Sequence, residues 1–338
     1  GMTGRIWLRI LGSLGLVALL VVSLDLRAAV DALVRAEAGP LLAVLLLVQA
    51  QILLSALRWT AIARRLGAPL SLRAAVREYY VAVALNQVLP GGVSGDVVRA
   101  WRQRQATASD TGAIVRAVVL ERAAGQAAFF AIVLAGIAVW PWLIDLPRPS
   151  AAWQAVLLLL AVPVTVGAAG VLASRVGPAR WRAAVRALAP DSLRAFVRGG
   201  AWRWQIPLNL AIAGSFIAAF ALAAGAVGPP LPWTAWLTVV PLTLLALLLP
   251  VSVGGWGLRE GAAAALWPFV GLPPELGVAA ALLYGFGVLV GASPGFAVLL
   301  MPPRPSCKRA YKSPERPSDA KARKAAFASE GGNHARQA

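Results

Sequence analysis

The stretch that decides the fold runs from Asn86 to Arg99 and reads NQVLPGGVSGDVVR. It sets a proline, three glycines, an acid and a base inside an otherwise apolar sequence, which no plain membrane-spanning helix tolerates. Proline removes a backbone donor and glycine frees the backbone, leaving polar groups that hydrocarbon does not satisfy. Such backbone persists at membrane depth only where protein or a wet cavity surrounds it, so this segment is expected to line the functional cavity.

The membrane setting follows from composition. The 338 residues are 59% hydrophobic and 14% charged, against about 25% charge in a soluble domain. The net charge of +18 comes from arginines distributed between apolar runs. They form no single basic domain, which argues against nucleic acid as a partner and for membrane topology. Cys307 and His334 are the only cysteine and histidine, so neither a disulfide, a Cys-based metal site nor any cofactor is expected.

Upstream of the opening stretch, Tyr79 to Leu89 is apolar for about 11 residues, too short for a bilayer that needs about 20. Downstream stand Arg99, Arg102 and Arg104, which would face outside if the segment crossed. The positive-inside bias therefore predicts a re-entrant hairpin, with a proline-kinked span as the rival. Full spans are expected at Ile6–Leu24, Pro40–Leu57, Ala113–Trp140, Trp153–Ala173, Ile206–Val227 and Glu275–Leu300, with Trp140 and Trp142 at the outer interface. Arg58, Arg64, Arg65, Arg73 and Arg77 read as a cytoplasmic flank. The arginines from Arg175 to Arg203, interleaved with Val185, Leu188, Leu193 and Phe196, predict a basic amphipathic segment on the inner leaflet.

The opening pattern returns at Leu249–Glu260 as LPVSVGGWGLRE. Leu89-Pro90 aligns with Leu249-Pro250, Val93 with Val253, Gly95 with Gly255 and Arg99 with Arg259. Three expected spans separate the copies, so two re-entrant loops would enter from opposite faces, as in an inverted-topology repeat. The expected fold is an all-α polytopic membrane helix bundle, with about six full spans plus two re-entrant helical hairpins related as an inverted repeat. Only Arg27, Arg35, Arg148 and Arg259 then fall outside. Both termini are cytoplasmic and the membrane is the cell membrane. Residues 1–300 form the membrane domain, and 301–338, rich in Pro, Lys, Arg, Ser and Glu, form a disordered basic tail.

Several of these residues carry a family resemblance: Asn86-Gln87-x-Leu-Pro90-Gly91-Gly92 with Gly95-Asp96-x-x-Arg99, then Glu121-Arg122, then Pro250 with Gly254-Gly255-x-Gly257-x-x-Glu260. The pattern resembles the lysylphosphatidylglycerol synthase transmembrane-region family, also described as flippase-like, over residues 5 to 300. The resemblance implies a polytopic protein with broken helices that handles a lipid, in some members by moving an aminoacylated phospholipid between leaflets. It also implies that aminoacyl transfer, which resides in a separate soluble domain, is not carried by this chain.

The motif residues have readable chemistry. Asp96 and Arg99, three apart, share a helix face. The positive end of their helix points toward the hairpin tip, a suitable place for a phosphate headgroup. Arg259 and Glu260 follow the second turn from the opposite side, and Asn86 and Gln87 offer neutral hydrogen bonds to a glycerol or sugar. Glu121 and Arg122, adjacent on a helix, are expected to pair with other elements. The rival for each charge is a structural salt bridge, and for each glycine close packing. The functional reading is a non-enzymatic lipid transporter with membrane lipids as partners, either alone, as a homo-oligomer or beside lipid-biosynthesis enzymes. The alternatives are a membrane-embedded lipid-modifying enzyme and a scaffold for envelope lipid synthesis.

Overall fold

The computed structural model describes residues 26–89, 92–107, 109–144, 172, 175–176, 178–248 and 253–301. The expected spans Ile6–Leu24 and Trp153–Ala173 lie outside the described residues, wholly for the first and almost wholly for the second. So do Pro90, Gly91, Pro250 and the tail from residue 302.

The described residues form twelve α-helices with short 3-10 and π pieces among them: α1 Leu26–Val34, α2 Ala38–Arg65, α3 Leu72–Val88, α4 Ser94–Ala106, α5 Thr111–Leu143, α6 Ala179–Ser192, α7 Trp202–Val227, α8 Trp233–Leu237, α9 Val239–Leu245, α10 Leu258–Leu266, α11 Pro274–Ala292 and α12 Pro294–Leu299. The protein is all-helical among the described residues. Among the described residues, four helical units are long and apolar enough to cross a membrane: α2, α5, α7 and the Pro274–Leu299 unit made of α11 and α12.

These spans are apolar on both sides. On α2, Val44, Val48, Ile52 and Trp59 are buried, while Leu42, Leu46, Leu53 and Leu57 stay exposed at helical spacing. A soluble helix turns charge outward, so a leucine stripe there belongs against lipid. Packing inside the bundle relies on small residues, as expected where helices gain little from excluding water. Gly287 and Gly291 of α11 stand against Val44 and Val48 of α2. Gly136 of α5 stands so close to the Leu237 carbonyl that no side chain would fit. At the start of α5, Asp110 accepts from the Ala113 N–H at 2.9 Å. Donors at Ala113 and Gly112 hold its exposed carboxyl below the usual carboxylate value.

Two helix–break–helix units interrupt this frame. The first is α3, the glycine-rich break and α4, two helices packed against each other. Its first helix is 17 residues, longer than the apolar run because it starts back at Leu72, capped by Ser71. The second runs from α9 through 246–257 to α10. Trp233 to Leu249 is not one helix: Thr238 breaks it into α8 and α9. The second break meets the last turn of α3, since a side chain at Gly254 (φ +58°) would run into the Gln87 carbonyl.

Trp140 is 3% exposed and meets Phe269 edge to face, while Trp142 is exposed. The last span is interrupted before Pro294, and α12 packs on α3, with Gly295 against the Tyr80 carbonyl. The basic segment is helical in α6 and continues through a π turn, Leu193–Val197. It is pinned by a buried Asp191 that pairs with Arg116 at 2.5 Å. Arg65 adds bonds to the Arg194 and Arg198 carbonyls at 3.2 and 2.7 Å.

Candidate functional site

The first hairpin is held shut by its own side chains. Asn86, on the last turn of α3, accepts the Gly95 N–H at 2.8 Å through Oδ1 and so caps α4 from across the break. Gly95 is obligatory there, since a Cβ would collide with the Ala82 carbonyl. Arg122, from α5, donates to the Asp96 carboxylate and to the Gly92 carbonyl, the latter at 2.6 Å. Asn86 thus takes one amide at the positive end of α4, and Asp96 stands in its first turn.

Behind the hairpin lies a buried charge network. Arg99 is fully buried, between the rings of Trp59 at 4.6 Å and Tyr79 at 4.5 Å. Its Nη2 lies 2.8 Å from Asp96 and 2.7 Å from Glu121. Glu121, 1% exposed, also accepts from Tyr79 at 2.8 Å and from both Nε and Nη2 of Arg58. Arg58 in turn donates to Asn209 of α7 at 2.6 Å. One carboxylate therefore ties α2, α3, α4 and α5 together, and Arg58 extends the tie to α7. Removal of such a group from a low-dielectric interior would leave its partners uncompensated.

A cavity of about 280 Å³ opens beside this network. Its polar wall carries Arg58, Asn86, Gln87, Asp96, Glu121 and Arg122, with Gln51, Ser55 and Gln126 nearby. Its apolar wall carries Ile52, Phe129, Ile212, Phe216, Leu247 and Val288. The space is divided between polar and apolar chemistry, at the small end of pockets that hold ligands. Among the described residues no group of His, Cys, Asp or Glu is placed to hold a metal ion.

The sequence-derived residues separate into three places. Asn86, Gln87, Asp96, Glu121 and Arg122 meet at the cavity. Arg99 stands behind it. Arg259 and Glu260 form their own pair at 2.5 Å, away from the cavity lining. Arg259 is fully buried over Trp256 and Tyr284, and Glu260 accepts the Gly257 N–H at 2.6 Å, closing the N-terminus of α10. Glu121 and Arg122 do pair with other elements, and Asp96 with Arg99 on one face. Arg58 is not a topological flank; it is 4% exposed and inside the network. Arg58, Tyr79 and Asn209 are the network members that sequence reading missed. An arginine directly followed by tryptophan at the end of an apolar run was the available signal for the first.

In comparison with known proteins, the family model described as Lysylphosphatidylglycerol synthase TM region matches residues 6–292. Neither a curated protein nor a solved structure matches the chain.

Proposed function

Because this chain belongs to the lysylphosphatidylglycerol synthase TM region family, we propose that it binds a lipid headgroup in the cavity beside the first hairpin and carries it between leaflets. The observation that supports this reading is the cavity itself: buried charge on one wall, aliphatic and aromatic groups on the other, where the break of the second unit meets the end of α3. A headgroup occupies the polar wall while its acyl chains stay in lipid. On this reading about six spans surround two re-entrant hairpins related as an inverted repeat. The termini are cytoplasmic, and the protein sits in the cell membrane. Arg99 and Arg259 correspond: each is fully buried beside an acid and over two aromatic rings. The matched family is the membrane region alone, so the reading is of a carrier and not of the aminoacyl-transfer enzyme.

The test is reconstitution of the full chain in vesicles containing phosphatidylglycerol with a fluorescent headgroup, followed by a membrane-impermeant quencher. Carrier activity exposes inner-leaflet label, and Arg122→Gln slows that exposure. Quenching confined to the outer leaflet across a panel of labelled lipids would sink the reading. Appearance of a modified lipid would replace it with an enzyme.

A further inference from the structure

Among the described residues, the network around the cavity is one carboxylate short. Arg58, Arg99 and Arg122 supply three guanidinium charges, and Asp96 and Glu121 supply two carboxylates. The other acid on the first hairpin, Glu78, is spent on Arg102 at 2.6 Å. The excess leaves the cavity wall net positive, which favours an incoming anion.

The three cations are not equally available. Arg58 and Arg99 have side chains 5% and 1% exposed, whereas that of Arg122 is 33% exposed on the cavity wall. Every nitrogen of Arg58 is engaged, by Glu121 and Asn209. Arg122 is therefore the cation an incoming anion meets, and its planar fork suits phosphate oxygens. Its present partners are Asp96 and the Gly92 carbonyl, so both bonds hold the break of the first hairpin.

We propose that the cavity takes up a phosphate-class anion at Arg122, and that this anion, by drawing Arg122 away from Gly92 and Asp96, releases the first hairpin break. The charge balance is completed by the ligand, and release is the consequence of completing it. The proposal rests on the headgroup-carrier reading only for the source of the anion. A phosphodiester headgroup and a free phosphate ester share the chemistry.

The experiment uses the full chain with Cys307→Ser and a reporter cysteine at Val93→Cys, an exposed position in the break. The rate of thiol labelling is measured in nanodiscs of phosphatidylglycerol, in nanodiscs of phosphatidylcholine, and in detergent with or without glycerol 3-phosphate. Phosphatidylglycerol should raise the rate about tenfold over phosphatidylcholine, as loss of a charge-assisted bond at the break predicts. Arg122→Gln should label fast in every condition. Ser55→Asp, which supplies the missing charge from the cavity wall, should label fast in every condition, with no further rise on adding lipid or glycerol 3-phosphate. A response to lipid alone, or to lipid and glycerol 3-phosphate, supports the proposal with lipid as a source. A response to glycerol 3-phosphate alone supports the anion site and removes the lipid source. No response to either, or a full response in Ser55→Asp, overturns the proposal. Headgroup transfer that persists in that last case leaves the carrier reading standing without it.

Discussion

Glu121 accepts from three side chains, Arg58, Tyr79 and Arg99, and no water-exposed edge remains to compensate a loss. Glu121→Gln should cost about 3–5 kcal/mol, the range for stranding buried charge. Thermal melting in detergent would report it. Adding Arg99→Met, which removes a stranded cation, should recover part of the loss; strictly additive effects would show that the two do not share a network. Asp110 makes a milder prediction. Its carboxyl is lowered by the Ala113 and Gly112 amides, so its stabilisation is full above the unfolded value of about 3.9 and is lost as pH falls through the lower folded value. Asp110→Ala should therefore lower the melting temperature at neutral pH, and the gap to the parent should close in acid. The charged members on the hairpin and on α5 were legible because acids and bases are conspicuous in apolar sequence. Arg58 was not, because a cation ending an apolar run looks the same whether it faces headgroups or folds back onto Glu121. Only the partner, 63 residues away, distinguishes them.

At the scale of elements, the breaks in α3–α4 and α9–α10 were readable from proline and glycine, but their lengths and shelter were not. The polar residues Arg73, Arg77 and Glu78 hid the start of α3, and its helical form depends on partners supplied from elsewhere, such as Arg102 on Glu78. The kink at Thr238, by contrast, had its signal in Pro241, which cannot donate to the Leu237 carbonyl four residues back. The close approach of the helices makes Gly95→Ala informative. A methyl group there meets the Ala82 carbonyl, and overpacking of this kind costs about 1–3 kcal/mol. The expected outcome is lower melting together with faster proteolysis between α3 and α4. Gly39→Ala, where nothing stands within 4 Å, is the control and should change neither.

For the whole molecule, the described spans carry lipid-facing leucine and valine outward and small residues inward, which is how an interior forms without help from water. On the proposed topology, Thr107 and Trp233 lie on opposite sides. Single cysteines at those positions in a Cys307→Ser chain should react with an impermeant maleimide from opposite faces of oriented vesicles; reaction from the same face would reject the topology. One more arrangement acts at this scale. Arg102, anchored on Glu78 at 2.6 Å, also reaches the carbonyls of Val298, Leu299 and Met301 at 3.4, 3.4 and 3.2 Å. The last helix and the first hairpin thus meet in a single guanidinium, beside Gly295 pressed on Tyr80. In mechanical terms this is a joint: a shift of α12 is delivered through Arg102 to α3 and α4 together, and becomes a torque on the hairpin.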